Sequence, residues 1–412
     1  MSLTNGGIDG ARLLADLHRL RGFGTYKTGV HRPTYSAVDM AAREWLCERM
    51  REAGMTAEID GIGNVIGRSP AGLGGADRPR LLLGSHLESQ NQAGWLDGAL
   101  GVMYALEIAR SRNEQGLGGV DVGAWADEEG HYGAFLGSRS AIGELSDADI
   151  AAGRHRYSPA TLPEALAAAG LAGRPRITID AAEYAGYLEA HIEQGDSLEA
   201  SGQRIGVVTS IVGIWQFRID FEGVQNHAGT TRMAIRRDAG VALVQLANEI
   251  ERLFPTIAAE RSVWTVGRIT LSPGAQSIVP GAAEMLLQFR DADAAVLARL
   301  EAGLRALVAT ADAGPCRVRL ANVSRSTPML MDAAMQAALG RAATRLAPGS
   351  WQAMPSGAGH DAQYFARIMP SGMLFVPSIG GISHHHAEDT AEADIVLGCA
   401  VLGAAVAEML GD

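Results

Sequence analysis

Two apolar segments of the chain run directly into polar clusters, and this pattern constrains the fold more than any other feature. Apolar residues 81–83 lead into GSH at 84–86, and apolar residues 120–126 lead into DEE at 127–129. Short apolar runs that end at turn residues are typical of buried parallel strands. Residues 98–110 between them have helical periodicity. Strand–helix–strand alternation predicts an α/β domain, in which ligands bind beyond the carboxyl ends of the strands.

The sequence changes character after the segment HIEQG at residues 191–195. From residue 204 to 221 it alternates as antiparallel strands do, and a helix, two strands and a further helix follow. We therefore predict an α/β domain, with a mixed sheet between helices, that is interrupted by a small α+β domain with a four-stranded sheet. The predicted α/β domain covers residues 1–212 and 329–412, and the predicted insert covers residues 213–328.

Composition excludes several classes of protein. A net charge of −11, from 46 acidic against 35 basic residues, argues against a nucleic-acid partner. No apolar run has the roughly 18 residues that a membrane span needs, and the segment MSLTNGGIDG lacks the pattern of a signal peptide. We expect a cytoplasmic protein with no membrane association. Three distant cysteines indicate small buried side chains rather than disulfides or a zinc ribbon: Cys47, Cys316 and Cys399.

The polar residues at the strand ends indicate a metal site only when they are considered together. Taken alone, His86 is typical of a structural histidine, Asp97 of a helix cap, and the pair Glu128 and Glu129 of a solvated surface. The run HHH at 384–386 alone is a weak surface metal tract. Placing such groups at the ends of buried strands costs desolvation unless a metal or partner compensates. Imidazole and carboxylate together suit zinc, with manganese or cobalt as alternatives.

The ordered motifs GSHLES, DGALGV, DEEG, HIEQG, HAGTT, SGAGHDA and GISHHHAE resemble a known family. They follow the order of the amidase branch of the aminoacylase/carboxypeptidase-like dinuclear zinc hydrolases. This branch holds N-carbamoyl-L-amino-acid hydrolases, β-ureidopropionases and allantoate amidohydrolases. The resemblance implies two divalent metal ions per chain and a homodimer. It also implies that the α/β domain is a phosphorylase/hydrolase-like catalytic domain and that the insert is a ferredoxin-like lid and dimerisation domain.

The resemblance also implies a role for each motif residue. Asp97 would bridge the two metal ions. Glu128 would be the general base that takes a proton from the bridging water. The remaining ligands would be His86 and His191 at one ion, and Glu129 and His384 at the other.

Further residues are implied to contact the substrate. His227 would reach the active site of the partner subunit and stabilise the oxyanion; the alternative is a turn histidine that caps local backbone. Arg290 would bind the substrate carboxylate with its guanidinium fork; the alternative is a surface salt bridge. The other implied substrate contacts are Gln194, Ser277, His360, Gly357 and Gly359.

Several residues depart from the family pattern. Glu88 replaces the usual aspartate that orients the first histidine, so we expect His86 to be oriented differently or to ligate less directly. Ser277 stands in place of an asparagine that helps to bind the substrate carboxylate, and Arg232 replaces a proline after HAGTT. The loop at residues 90–96 lacks the usual double glycine and adds Trp95.

The resemblance predicts hydrolysis of an N-carbamoyl (ureido) amino acid by attack of a metal-bridging water. Allantoate or an N-acyl amino acid is the alternative substrate. His191 disfavours a dipeptidase, because the peptidase branch usually has a carboxylate at this position. A catalytically silent binding protein on the same fold is the non-enzyme alternative; such a protein would have lost Glu128 or a metal ligand, and none is lost.

Overall fold

The computed structural model describes residues 7–73 and 79–412, and the chain forms two compact units. The first unit comprises the described residues up to Thr209 together with Leu330–Met354 and Ala358–Asp412, and the second comprises Ser210–Met329 and Pro355–Gly357. The second unit is therefore inserted into the first. The beginning of the segment MSLTNGGIDG lies outside the described residues.

A nine-stranded mixed sheet forms the centre of the first unit. Its strands are β3 (Thr56–Ile59), β4 (Val65–Arg68), β5 (Arg80–His86), β6 (Val120–Trp125), β7 (Tyr184–Ile192), β8 (Ile205–Ile211), β15 (Met329–Leu330), β16 (Trp351–Ser356) and β17 (Ser371–Val376). They lie in the order β15-β8-β17-β7-β5-β6-β4-β3, and β16 pairs with β8. A separate hairpin is formed by β1 (Thr25–Tyr26) and β2 (Gly29–Val30).

The four neighbouring strands β17, β7, β5 and β6 are parallel, so their carboxyl ends meet at one edge of the sheet. The register makes this explicit, because His86 pairs with Trp125 and Ile192 pairs with Val376. The apolar runs of the sequence are these buried strands. The predicted mixed α/β class is confirmed.

The first two helices of the first unit begin at capping residues. Asp9 and Ser36 accept backbone N–H bonds at the starts of the first two helices. Within the described ranges, no helix combines the length and apolarity that crossing a bilayer would require. The helices are α1 (Gly10–Arg21), α2 (Ala37–Glu52), α3 (Ala99–Glu114), α4 (Leu136–Ala141), α5 (Asp147–Ala152), α6 (Leu162–Ala168), α7 (Ser197–Ala200), α10 (Ala333–Leu346), α11 (Ala362–Phe365) and α12 (Glu392–Met409).

The second unit packs two helices, α8 (Ala239–Leu253) and α9 (Ala294–Asp312), against an antiparallel sheet. The sheet has the order β11-β13-β9-β14, and its βαββαβ connectivity is that of ferredoxin-like domains. Alternate residues of β9, Phe217, Ile219 and Phe221, are buried in its core. The strands are β9 (Gly213–Glu222), β11 (Val263–Ser272), β13 (Ala282–Asp291) and β14 (Arg317–Arg325), with a separate pair β10 (Asn226–His227) and β12 (Ile278–Val279).

The three cysteines are free and buried, as the sequence predicts for small apolar side chains. Cys47 and Cys399 belong to the apolar core of the first unit. Burial raises the pKa of the Cys47 thiol to about 11, so the thiol is inert at neutral pH.

Candidate metal centre

Five residues at the carboxyl edge of the first unit's sheet form two ligand groups that share one carboxylate. Ligand atoms of His86, Asp97 and His191 lie within 4.8 Å of one another, and so do those of Asp97, Glu129 and His384. Oδ1 of Asp97 lies 3.1 Å from Nε2 of His191 and 3.3 Å from Nε2 of His86. Oδ2 lies 3.3 Å from Nε2 of His384. The two oxygens of one carboxylate therefore serve different groups.

The fold explains why these side chains meet. His86 is the last residue of β5, His191 is the penultimate residue of β7, and Glu129 follows β6. Nδ1 of His191 lies 2.9 Å from the Ile192 carbonyl oxygen, which leaves Nε2 to face Asp97. The N-cap residue of α3 is Gly98, and the Asp97 carboxylate instead accepts Nε2 of Gln194 at 2.9 Å.

The electrostatics of the cluster follow from burial and crowding. Burial alone would raise the pKa of Asp97, but contacts with His191, His384 and His86 hold this pKa well below its usual range. The contact with Asp97 raises the pKa of His384 to about 9. Burial raises the pKa of Glu129, and the neighbouring charge of Asp97 adds to this. Three imidazoles and two carboxylates packed this closely are a donor set that suits divalent cations such as zinc.

Glu128 lies beside the ligand groups but belongs to neither of them. Its Oε2 is 3.7 Å from Nε2 of His86, and burial raises the pKa of its carboxyl well above the usual value. The turn that presents it is unusual, because Asp127 adopts a left-handed φ of 57°. The Asp127 carboxylate accepts backbone N–H bonds from the residues that close this turn: His131, Tyr132 and Gly133.

Two residues that sequence reasoning missed hold the ligands in place. Gln90 donates from Nε2 to Oε2 of Glu129 at 2.8 Å. The buried carboxylate of Glu388 accepts the backbone N–H of Asp97 at 3.0 Å. Glu388 ends the motif GISHHHAE, so an acid that closes a ligand motif was an available signal. Gln90 lies in the loop that departs from the family pattern, and nothing in the sequence marked it.

The structure places Gln194 and His360 against the ligands. Nε2 of Gln194 donates to Oδ2 of Asp97 at 2.9 Å, while its buried Oε1 has no hydrogen-bond partner among the described residues. The His360 ring packs against His191 with 4.7 Å between ring centroids. Of the two glycines predicted to contact the substrate, only Gly359 is required by close packing, since a Cβ there would lie 3.0 Å from the Phe135 ring. A Cβ at Gly357 would meet nothing within 4 Å.

The second unit holds the remaining predicted residues. His227 pairs with Ile278 in the β10–β12 ladder, and the Ser277 carbonyl accepts the N–H of Ala228 at 2.9 Å. The exposed ring of His227 accepts the N–H of Gly229 at Nδ1, at a distance of 3.0 Å. This contact matches the turn-capping alternative, but it also leaves Nε2 unused by the turn.

Arg290 is half-buried at the end of β13 and is held by two hydrogen bonds. Its Nε donates to Oε1 of Gln288 at 2.7 Å, and its Nη1 donates to the Gly357 carbonyl at 2.8 Å. These contacts fix the plane of the guanidinium, which is the property that recognition of a planar carboxylate requires.

A mixed sheet that presents histidine and carboxylate ligand groups beyond its parallel strands defines the class: a metal-dependent hydrolase. The family described as Peptidase family M20/M25/M40 matches residues 82–408. The chain belongs to this family.

Individual relatives agree over almost the full length. The N-carbamoyl-L-amino acid amidohydrolase of Geobacillus stearothermophilus is 33% identical over 410 residues, covering 96% of this chain and 97% of the relative. The allantoate amidohydrolase of Escherichia coli (strain K12) is 33% identical and covers 91% of both chains. A hydantoinase/carbamoylase-family amidase from Burkholderia phymatum has 50% sequence identity to this chain, and the match covers 98% of both chains. Its crystal structure superimposes on this one with a TM-score of 0.89. The chain is a hydrolase that acts on C–N bonds.

Proposed function

We propose that this protein hydrolyses the C–N bond of an N-carbamoyl (ureido) amino acid at a centre of two divalent cations. The observation that carries the proposal is the Asp97 carboxylate, whose two oxygens face different ligand groups, together with Glu128, which lies beside His86 and belongs to neither group. The names of the amidohydrolase relatives support the substrate class.

The two candidate ligand groups share Asp97, so each group would hold one cation. His86 and His191 would hold one cation, and Glu129 and His384 would hold the other. We propose zinc, because imidazole and carboxylate donors suit it, with manganese and cobalt as alternatives. When bound, a pair of such cations polarises the scissile carbonyl and lowers the pKa of a water molecule.

Glu128 is the proposed general base. Because Glu128 is not a member of either ligand group, its carboxylate is available for proton transfer. It would take the proton of the attacking water and deliver it to the leaving nitrogen. Gln194, whose Nε2 donates to Asp97, is proposed to contact the substrate. His360, whose ring packs against His191, is proposed to line the active-site cleft.

His227 is proposed to stabilise the oxyanion of the reaction. Its Nδ1 accepts backbone N–H bonds from Gly229 and Thr230, so the neutral ring carries its proton on Nε2. Nε2 is thereby fixed as a donor on an exposed side chain, which is the requirement for stabilising developing negative charge. We assign this donor to the active site of a partner subunit.

We propose a homodimer formed through the second unit. Strand β11 lies at the edge of its sheet and exposes Val263, Ile269 and Leu271. Helix α8 exposes Val241 and Val244. An unpaired edge strand flanked by apolar side chains is an association surface unless it is covered, and a second copy of the same edge is a complementary partner.

Arg290 is proposed to bind the carboxylate of the substrate, with Ser277 in a supporting role. The hydrogen bonds to Gln288 and Gly357 hold the guanidinium in one orientation. Such pre-organisation reduces the entropy lost on binding and adds to specificity for a planar anion. Gly357, which has open space above its Cα, lets the substrate approach this backbone closely.

A substrate panel tests the proposal. The zinc-loaded enzyme is offered N-carbamoyl-L-amino acids, allantoate, N-acyl amino acids and dipeptides, and the release of ammonia and of free amine is followed separately. We expect the highest kcat/KM on an N-carbamoyl-L-amino acid. Preference for allantoate is the second candidate, favoured by the 33% identity to the E. coli allantoate amidohydrolase. Bound metal with no hydrolysis of any member would instead identify a binding protein.

A further inference from the structure

The carboxylate of Glu88 does not hydrogen-bond to His86, the histidine that it follows. Its Oε1 lies 3.9 Å from Nδ1 of His86, beyond hydrogen-bonding distance. Nδ1 of His86 instead lies 3.1 Å from the backbone carbonyl oxygen of Glu88. The main chain therefore orients His86, and the fully buried carboxylate of Glu88 is left for another purpose.

That carboxylate links the backbone of Glu128 to a buried arginine. Oε1 accepts the N–H of Glu128 at 2.6 Å, and Oε2 accepts Nη2 of Arg43 at 2.7 Å. Arg43 is itself fully buried on α2, where its Nε contacts Asp39 at 3.0 Å and its Nη1 donates to the Gly63 carbonyl at 2.8 Å. Glu88 thus connects the turn that carries Glu128 to a rigid anchor.

The length of the side chain matters for this link. A C–C bond spans about 1.5 Å, so an aspartate at this position would withdraw its carboxylate from both partners. Two contacts of 2.6 and 2.7 Å would not both survive within the limit of about 3.2 Å for a hydrogen bond. The turn needs such support, because Asp127 holds a left-handed φ of 57° immediately before Glu128.

We propose that Glu88, braced by Arg43, is a positioning residue that sets the placement of the Glu128 carboxylate beside the ligand groups. This inference rests on the proposed function, in which Glu128 transfers the proton.

The test is Glu88→Asp, assayed well below the melting temperature of every variant. We expect kcat to fall by about ten- to a hundredfold, as for a displacement of roughly 1 Å, with KM and metal content unchanged. Glu107→Asp is the matched control, because Glu107 is also buried and is held by Arg12 and Arg110. Glu107→Asp should lower the melting temperature at least as much as Glu88→Asp does. It should leave kcat within about twofold of the wild-type value, which corresponds to a change of only about 0.4 kcal/mol in the activation free energy.

A double-variant cycle separates this inference from the proposed function. In the Glu128→Gln background, under single-turnover conditions, Glu88→Asp should cause no further loss of rate, because the positioned group is already gone. An equal loss in both backgrounds, a wild-type kcat for Glu88→Asp, or loss of metal from that variant would overturn the positioning role. A wild-type rate for Glu128→Gln alone would overturn the proposed function instead. Arg43→Lys, which keeps the charge but loses the fork, should reproduce the kcat loss.

Discussion

Oε1 of Glu388 accepts the backbone N–H of Asp97 at 3.0 Å. Its second oxygen, Oε2, accepts the Ser383 hydroxyl at 3.0 Å, one residue before His384. Glu388 therefore ties together two loops that are distant in sequence and that each supply a candidate ligand. Burial raises the pKa of this carboxyl to about 8, and the nearby charge of Asp97 adds to that effect.

We expect Glu388→Ala to weaken metal binding, because the Asp97 loop loses its anchor. Residues that orient ligands typically contribute about 10–100-fold to metal affinity or activity. Competition with a chelator measures the apparent Kd, and Glu392→Ala, at an exposed acid that contacts His18, is the control. A Kd unchanged from wild type in Glu388→Ala would show that the loop keeps its shape without this contact.

Each ligand group should hold its own cation. His191→Ala and His384→Ala belong to different groups, so each variant should bind one cation where the wild type binds two. His385→Ala is the matched control, since its neighbour His384 is in one of the candidate groups and His385 is in neither. Elemental analysis after dialysis measures the stoichiometry. A single cation in the wild type, or retention of two in both ligand variants, would contradict a dinuclear centre.

Arg290→Ala should raise KM for an N-carbamoyl amino acid by about ten- to a hundredfold, because a hydrogen bond to a charged group contributes roughly 1.5–3 kcal/mol. The amide analogue that lacks the carboxylate should be almost unaffected, and metal content should not change. Arg268→Ala, at an exposed arginine of the same sheet that pairs with Glu284, is the control. Equal losses on both substrates would assign Arg290 a structural role.

Much of this arrangement was predictable from sequence, because strand ends determine where polar residues meet. The apolar runs before His86 and Glu128 predicted the parallel strands β5 and β6, and the motif order predicted the family. Patterns of this kind are local in the sequence. The parallel pairing of β5 and β6 then brings the carboxyl ends of these strands to one edge of the sheet.

The missed features depend on contacts between distant segments. Gln90 contacts Glu129 across the site, and the Glu88 carboxylate accepts the N–H of Glu128 rather than a hydrogen bond from His86. Local spacing in the sequence encodes neither contact. The sequences of the short helices α4, α5 and α6 also lack a strong apolar period. These helices lie in the chain between β6 and β7 of the first unit. The dimer and the cytoplasmic location remain predictions.

Active-site sharing predicts complementation between inactive variants. His227→Ala should lower kcat by about 10²–10³-fold, as loss of an oxyanion donor does, and Glu128→Gln should be similarly impaired. When the two are unfolded, mixed and refolded, a heterodimer contains one site with both residues intact. We expect recovery of up to a quarter of wild-type activity, because about half of the dimers are mixed and each has one complete site. Verified heterodimers without recovered activity would place His227 in its own subunit's site.

The central claim, that Glu128 transfers the proton while Asp97 is shared between two cations, is tested most directly by Glu128→Gln. Metal content and the release of ammonia from an N-carbamoyl-L-amino acid are measured on the same preparations of variant and wild type. We predict two cations per chain in both, and a kcat lower by about 10²–10⁴-fold in the variant, the usual contribution of a general base. Loss of a cation from the variant would make Glu128 a ligand, and a wild-type rate with both cations bound would contradict its role as the base.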